Sequence, residues 1–113
     1  MSKELIKILI ADDHPVVREG IKQIISRAPD MVVEGEALTG QEVLDKISKE
    51  SWDVVILDIN MPGKDGFEVI RELRKEKPKL PILVLSVYPE EQIGVRILKA
   101  GASGFLNKES APK

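Results

Sequence analysis

The feature that most constrains this chain is a regular exchange between two kinds of hydrophobic spacing. Short apolar runs rich in Val, Ile and Leu occupy residues 7–11, 31–37, 54–59, 82–87 and 104–107. Most lack strict polar alternation, which suits strands covered on both faces, as in a parallel sheet. The segments between them carry apolar residues at helical spacing. Strand and helix alternating in this way predict a doubly wound α/β fold with right-handed crossovers.

The helical segments carry their own punctuation. The first places Val17, Ile21, Ile24, Ile25 and Ala28 on one face, and Pro29 stops it. The second opens on Thr39-Gly-Gln-Glu42, a capping-box pattern, and is expected to bury Val43, Leu44 and Ile47. The third follows Asp65, with Glu68 three residues on, and is expected to bury Val69, Ile70 and Leu73. Pro78 and Pro81 then break the chain. The fourth starts near Pro89, where a missing N–H costs nothing, and stops at Gly101. Gly94 inside it weakens the helix by about 1 kcal/mol relative to Ala, which marks it as a candidate mobile element. A closing helix is expected after the fifth strand, yet the sequence runs out at Ser110-Ala-Pro-Lys113. The expectation is a truncated chain with one sheet face uncovered near that strand.

A length of 113 residues suits one domain, and 42% apolar with 32% charged residues is ordinary for a globular protein. The net charge of −2, with acids and bases interleaved, gives no general attraction to DNA or anionic membranes. The absence of cysteine excludes thiol catalysis, disulfides and thiolate metal sites. The charged N-terminus has no apolar signal core and no run is long enough to span a bilayer, so a cytoplasmic location is expected.

The polar residues that interrupt the strand pattern fall at equivalent places. Asp12 and Asp13 end the first strand, Asp58 the third, Ser86 the fourth and Lys108 the fifth. In an open parallel sheet these are carboxyl ends of strands and share one rim, where ligands of such folds bind. Three carboxylates would meet there, each pair at ~4 Å repelling by roughly 4 kcal/mol at an effective dielectric of about 20. Lys108 alone cannot balance them, whereas a divalent cation can. All-oxygen ligands suit Mg²⁺ or Mn²⁺. A carboxylate can attack phosphorus to form an acyl phosphate. The metal, Lys108 and the Ser86 hydroxyl would stabilise charge on the transferring oxygens.

The runs Ile10-Ala-Asp-Asp-His-Pro15, Leu57-Asp-Ile-Asn-Met-Pro-Gly63, Leu85-Ser86 and Gly104-Phe-Leu-Asn-Lys108 together resemble a bacterial response-regulator receiver domain, over residues 6–108. The resemblance implies a flavodoxin-like five-stranded parallel sheet of order 2-1-3-4-5, here without its final helix. It implies that Asp58 is the phospho-acceptor, that Asp13, Asp58 and the main-chain carbonyl of Asn60 ligate Mg²⁺, and that Asp12 acts partly through water. Ser86 and Lys108 would contact the phosphoryl oxygens, and Phe105 would be the switch aromatic that follows Ser86. A sensor histidine kinase would donate the phosphoryl group. The re-posed face of the fourth helix and fifth strand would then engage an output domain or a second copy, to control transcription. Such a domain is not an enzyme; it catalyses only its own Mg²⁺-dependent phosphorylation and slow dephosphorylation. The runs Asp12-Asp-His-Pro15 and Lys99-Ala-Gly-Ala-Ser-Gly104 resemble the NarL/FixJ branch, whose members carry a C-terminal helix-turn-helix DNA-binding domain; none occurs in these residues. The receiver itself is expected to touch neither nucleic acid nor membrane. Glu109 stands where many receivers have proline, and Phe105 lacks the hydroxyl of the commoner tyrosine.

Blander readings attach to the remaining residues. His14, the sole histidine, is read as flanking the acid pocket rather than as a ligand or phosphohistidine. Trp52 precedes the third strand and reads as packing at the pole opposite Asp58, while Arg71, Arg74, Lys75 and Lys77 read as a solvated helix face. Asn60 and Tyr88, each two residues beyond Asp58 and Ser86, are expected to flank the phosphoryl group and tune attack by water. Two other classes use similar parts. A phosphotransferase with an aspartate nucleophile would need a second acid where Asn60 stands. A flavin module would need a Gly/Ser/Thr-rich phosphate loop where Asp12-Asp13-His14-Pro15 stands.

Overall fold

The computed structural model describes residues 5–63, 65–86 and 90–107. Its strands are β1 (Ile6–Ala11), β2 (Met31–Ala37), β3 (Val54–Asp58), β4 (Ile82–Ser86) and β5 (Gly104–Asn107). The helices between them are α1 (Pro15–Ser26), α2 (Gly40–Lys49), α3 (Gly66–Glu76) and α4 (Glu90–Ala100). All strand pairs are parallel, in the order β2-β1-β3-β4-β5. The chain therefore winds one way from β1 to β2, crosses back, and winds the other way through β3, β4 and β5. The reversal lies between β1 and β3, the neighbours that begin its two halves.

The two sheet faces are distinct cores. Leu9, Val55, Leu57, Ile82 and Val84 pack against Val43 and Ile47 of α2, Val69, Ile70 and Leu73 of α3, and Ile97 of α4. The alternate residues Ile8, Ile10, Ile56 and Leu85 pack with Ile25, Val17 and Ile21 of α1. Among the described residues α1 alone contributes a helix to this second core, and Leu106 of β5 stays 47% exposed.

The helix ends follow from their residues. Pro15 sits at the start of α1, where its missing N–H is no loss. The Thr39 hydroxyl accepts the Glu42 N–H at 3.2 Å, and the Asp65 carboxylate accepts the Phe67 N–H at 3.0 Å. Gly101 ends α4 at a φ of +120°, which a side chain would strain. Gly66 opens α3 so close to the turn after β3 that a Cβ would stand 2.6 Å from the Ile59 carbonyl oxygen. This close approach fixes the loop that follows Asp58.

Some details differ from the sequence expectation. Ile24 is exposed rather than part of the buried face, because α1 turns only Val17, Ile21 and Ile25 onto the sheet. Ala28 lies beyond α1, which ends at Ser26 with Arg27 as its cap, ahead of Pro29. Leu44 is half-buried at the edge of the α2 core. Strand β1 begins at Ile6 and β3 ends at Asp58, with Ile59 already in the following turn.

Candidate functional site

The site forms where β1 and β3, adjacent in the sheet, release their chains at the same rim. Asp12 follows β1, its N–H held by the Ala37 carbonyl at 3.1 Å, and Asp58 is the last residue of β3. Both are fully buried, as is Ser86 at the tip of β4. Ser86 stands one residue beyond Leu85, the register partner of Asp58, and opposite Asn107 of β5. The sheet therefore brings Asp12, Asp13, Asp58 and Ser86 to one end. Trp52 lies at the other pole, packed on Gly35 and donating its indole N–H to the Lys46 carbonyl at 3.0 Å.

Around Asp58 the backbone is closely held. The Asn60 N–H donates to Asp58 Oδ1 at 2.9 Å, and the Ile59 N–H donates to the Leu85 carbonyl at 3.1 Å. These bonds fix the plane and depth of the carboxylate. Asp12 is held on three sides: the His14 N–H donates to its Oδ1 at 2.8 Å, Arg18 Nη1 donates to its carbonyl at 2.7 Å, and its own N–H is bound to β2. Arg18 in turn reaches Glu36 of β2 through Nε at 2.8 Å. The site's floor is thus tied to the sheet edge by a half-buried ion pair, to which Lys22 adds a 2.8 Å contact.

His14 flanks the acids and reaches them with one ring nitrogen. Its Nδ1 lies 2.9 Å from Asp12 Oδ1, 3.2 Å from Asp13 Oδ1 and 3.8 Å from Asp58 Oδ2. One donor atom from each of Asp12, Asp13, His14 and Asp58 falls within 4.8 Å of all the others. Asp13 Oδ1 is buried without a hydrogen bond. A buried carboxylate oxygen in that position is costly unless something positive meets it. An oxygen-rich donor set of this span, with such an oxygen, fits a hard divalent cation.

Other expected site residues are distributed as follows. Phe105 is half-buried, packed against the core shared by α2, α3 and α4, and pairs with Val84 two residues before Ser86. Lys108 and Tyr88 lie outside the described residues. Arg18 was not foreseen; its placement four residues after His14, one turn into α1, is the signal that could have revealed it. Arg74 corrects the solvated-face reading. Its guanidinium donates to the carbonyls of Lys77, Pro78, Leu80 and Gly101, so it binds the α3–β4 loop to the end of α4.

Comparison with known proteins adds a family. A model of the response regulator receiver domain matches residues 8–113. The nitrate/nitrite response regulator protein NarL of Escherichia coli K12 is 41% identical over 112 residues, which are 99% of this chain and 52% of that protein. The transcriptional regulatory protein DegU of Brevibacillus brevis is 38% identical over 109 residues, 96% of this chain and 46% of that protein. The chain spans about half the length of these relatives. Among solved structures, a LuxR-family two-component response regulator from Aurantimonas superposes with a TM-score of 0.88 at 32% identity, over 96% of this chain and 78% of that one. RcsB from Salmonella enterica serovar Typhimurium, bound to promoter rprA with the phosphomimetic BeF3⁻, superposes with a TM-score of 0.86 at 30% identity, over 95% and 62%.

Proposed function

This chain belongs to the response regulator receiver domain family, and on that premise we propose that Asp58 accepts a phosphoryl group from the phosphohistidine of a sensor kinase. One observation carries the reading: a fully buried carboxylate at the end of β3 shares a 4.8 Å donor cluster with Asp12 and Asp13. Burying acids this close together costs stability unless positive charge meets them.

In the proposed reaction an Asp58 carboxylate oxygen bonds to phosphorus as the kinase's N–P bond breaks, and the departing imidazole takes up a proton. The Asn60 N–H, already on Asp58 Oδ1, orients the nucleophile. Asp12, Asp13, Asp58 and the Asn60 carbonyl are the groups that would hold Mg²⁺, or Mn²⁺ in its place. When bound, the cation neutralises charge on the phosphoryl oxygens. Lys108 and the Ser86 hydroxyl would contact those oxygens. Asn60 and Tyr88 would set how readily water later reaches the acyl phosphate.

Phosphorylation adds about −1.5 to −2 charges at the rim. Ser86 turns toward them, Phe105 takes up the space it leaves, and the face of α4 and β5 is re-posed. Val95 and Leu98, one turn apart on α4, are 66% and 53% exposed and give that face apolar anchors. Its partner would be a second copy or a C-terminal DNA-binding output domain of the parent protein, in a cytoplasmic regulator of transcription. Self-phosphorylation and slow dephosphorylation would be the only reactions catalysed.

Incubation with acetyl phosphate and Mg²⁺, read by intact mass, is expected to add one phosphoryl group, and Asp58→Asn is expected to add none. An unchanged mass in the parent chain, or equal gain in Asp58→Asn, overturns the proposal.

A further inference from the structure

We propose that His14 is itself a ligand of the cation site, so that the site offers one imidazole nitrogen beside its carboxylates and favours first-row transition cations over Mg²⁺. The inference rests on reading the acidic cluster as a cation site, and adds the nitrogen donor and its consequence for selectivity.

The distances carry it. In an octahedron with metal–ligand bonds of about 2.1 Å, neighbouring donors lie ~3.0 Å apart and opposite donors ~4.2 Å apart. His14 Nδ1 hydrogen-bonds Asp12 Oδ1 at 2.9 Å and lies 3.2 Å from Asp13 Oδ1, separations that neighbouring ligands of one ion would also show. Its 3.8 Å separation from Asp58 Oδ2 falls between the two. A small closure of the four side chains would therefore set one ion at bonding distance from all of them.

The local backbone holds the ring there. His14 is the N-cap of α1, at φ −99° and ψ 109°, and Pro15 fixes the chain immediately after it. Its N–H is bound to Asp12 Oδ1, on the same side as its Nδ1. Good N-caps are Ser, Thr, Asp or Asn, and the His14 side chain makes no cap hydrogen bond, so the ring is placed by its contact with Asp12 and not by helix capping. The ring is 58% exposed, so an ion entering from solvent meets it at the mouth of the site. Toward the ionised Asp12 carboxylate Nδ1 acts as the donor, so ligation exchanges that hydrogen bond for the metal and leaves the ring proton on Nε2.

The chemistry then discriminates among ions. Mg²⁺ prefers oxygen donors and keeps its water, gaining little from an imidazole. Imidazole strengthens binding of first-row transition ions, in the order Mn²⁺, Co²⁺, Ni²⁺. Loss of a direct ligand should cost no less than the roughly tenfold seen when a supporting residue is lost. His14→Ala is therefore expected to weaken Co²⁺ binding by about tenfold or more, with Mg²⁺ affinity changing less than about twofold.

Because His14 is the sole histidine, labelling histidine with ¹⁵N marks one ring. Pulsed EPR of bound Mn²⁺ is expected to show a nitrogen coupling that changes with that label and vanishes in His14→Ala. The parent chain alone decides the point; His14→Gln serves if the alanine variant folds poorly. Mn²⁺ that binds, is lost in Asp13→Asn, and shows no label-sensitive coupling overturns the ligand role and leaves the cation site standing. A chain that binds no Mn²⁺ at these aspartates overturns both.

Discussion

Arg74 shows how much one side chain can organise away from the chemistry. Its guanidinium satisfies carbonyls from the α3–β4 loop and the one at Gly101, the end of α4. Hydrogen bonds from a charged donor contribute about 1.5–3 kcal/mol each when buried, and less where water competes. Arg74→Ala is expected to lower stability by about 2 kcal/mol in urea unfolding. Arg74→Lys should recover less than half of that, because an ammonium cannot span the same carbonyls. Glu36 gives a residue-scale pH effect. The Lys22 ammonium, then the Arg18 guanidinium, hold its carboxyl below the ordinary value of 4.5. A depressed carboxyl pKa adds stability that is complete above the unfolded value and is lost as pH falls through the folded one. The destabilisation caused by Glu36→Gln should therefore shrink as pH falls below the ordinary carboxylate range; a difference that stays constant with pH would contradict this.

At the scale of elements, glycines separate packing from propensity. Gly66 lies where a Cβ would meet the Ile59 main chain, whereas Gly20 in α1 has nothing within 4 Å of such an atom. Gly66→Ala is expected to cost about 2–3 kcal/mol, from overpacking against backbone that cannot yield. Gly20→Ala should gain about 0.5–1 kcal/mol from helix propensity. Paired thermal melts test both. The elements themselves were largely legible, because each kind leaves a physical trace in one dimension. The Thr39 and Asp65 caps, the Gly101 stop and the buried Val69, Ile70 and Leu73 stripe all stand where residue type and spacing put them. The site's carboxylates were legible for a related reason: strand tips share a rim, so Asp12, Asp13 and Asp58 could be placed together from topology. What escaped were directions of long or ring side chains. Neither the turn of His14 into the acids nor the reach of Arg18 and Arg74 to main-chain carbonyls follows from periodicity.

On the scale of the whole molecule, the sheet links the rim that carries Asp58 and Ser86 to the exposed face of α4. Asp58 and Ser86 sit at the tips of β3 and β4, and β4 pairs with β5, against which α4 packs. A charge added at Asp58 thus lies two strands from the exposed Val95 and Leu98. Beryllofluoride with Mg²⁺ is expected to shift the amide resonances of α4 and β5; shifts confined to the rim would contradict the switch. The account stands or falls on which carboxylate becomes phosphorylated. Reduction of the acyl phosphate with borohydride converts its aspartate to homoserine, and peptide mass spectrometry then locates it. After acetyl phosphate and Mg²⁺, homoserine is predicted at position 58 alone, and absent when the cation is chelated. Homoserine at position 12 or 13, or at none, would contradict it.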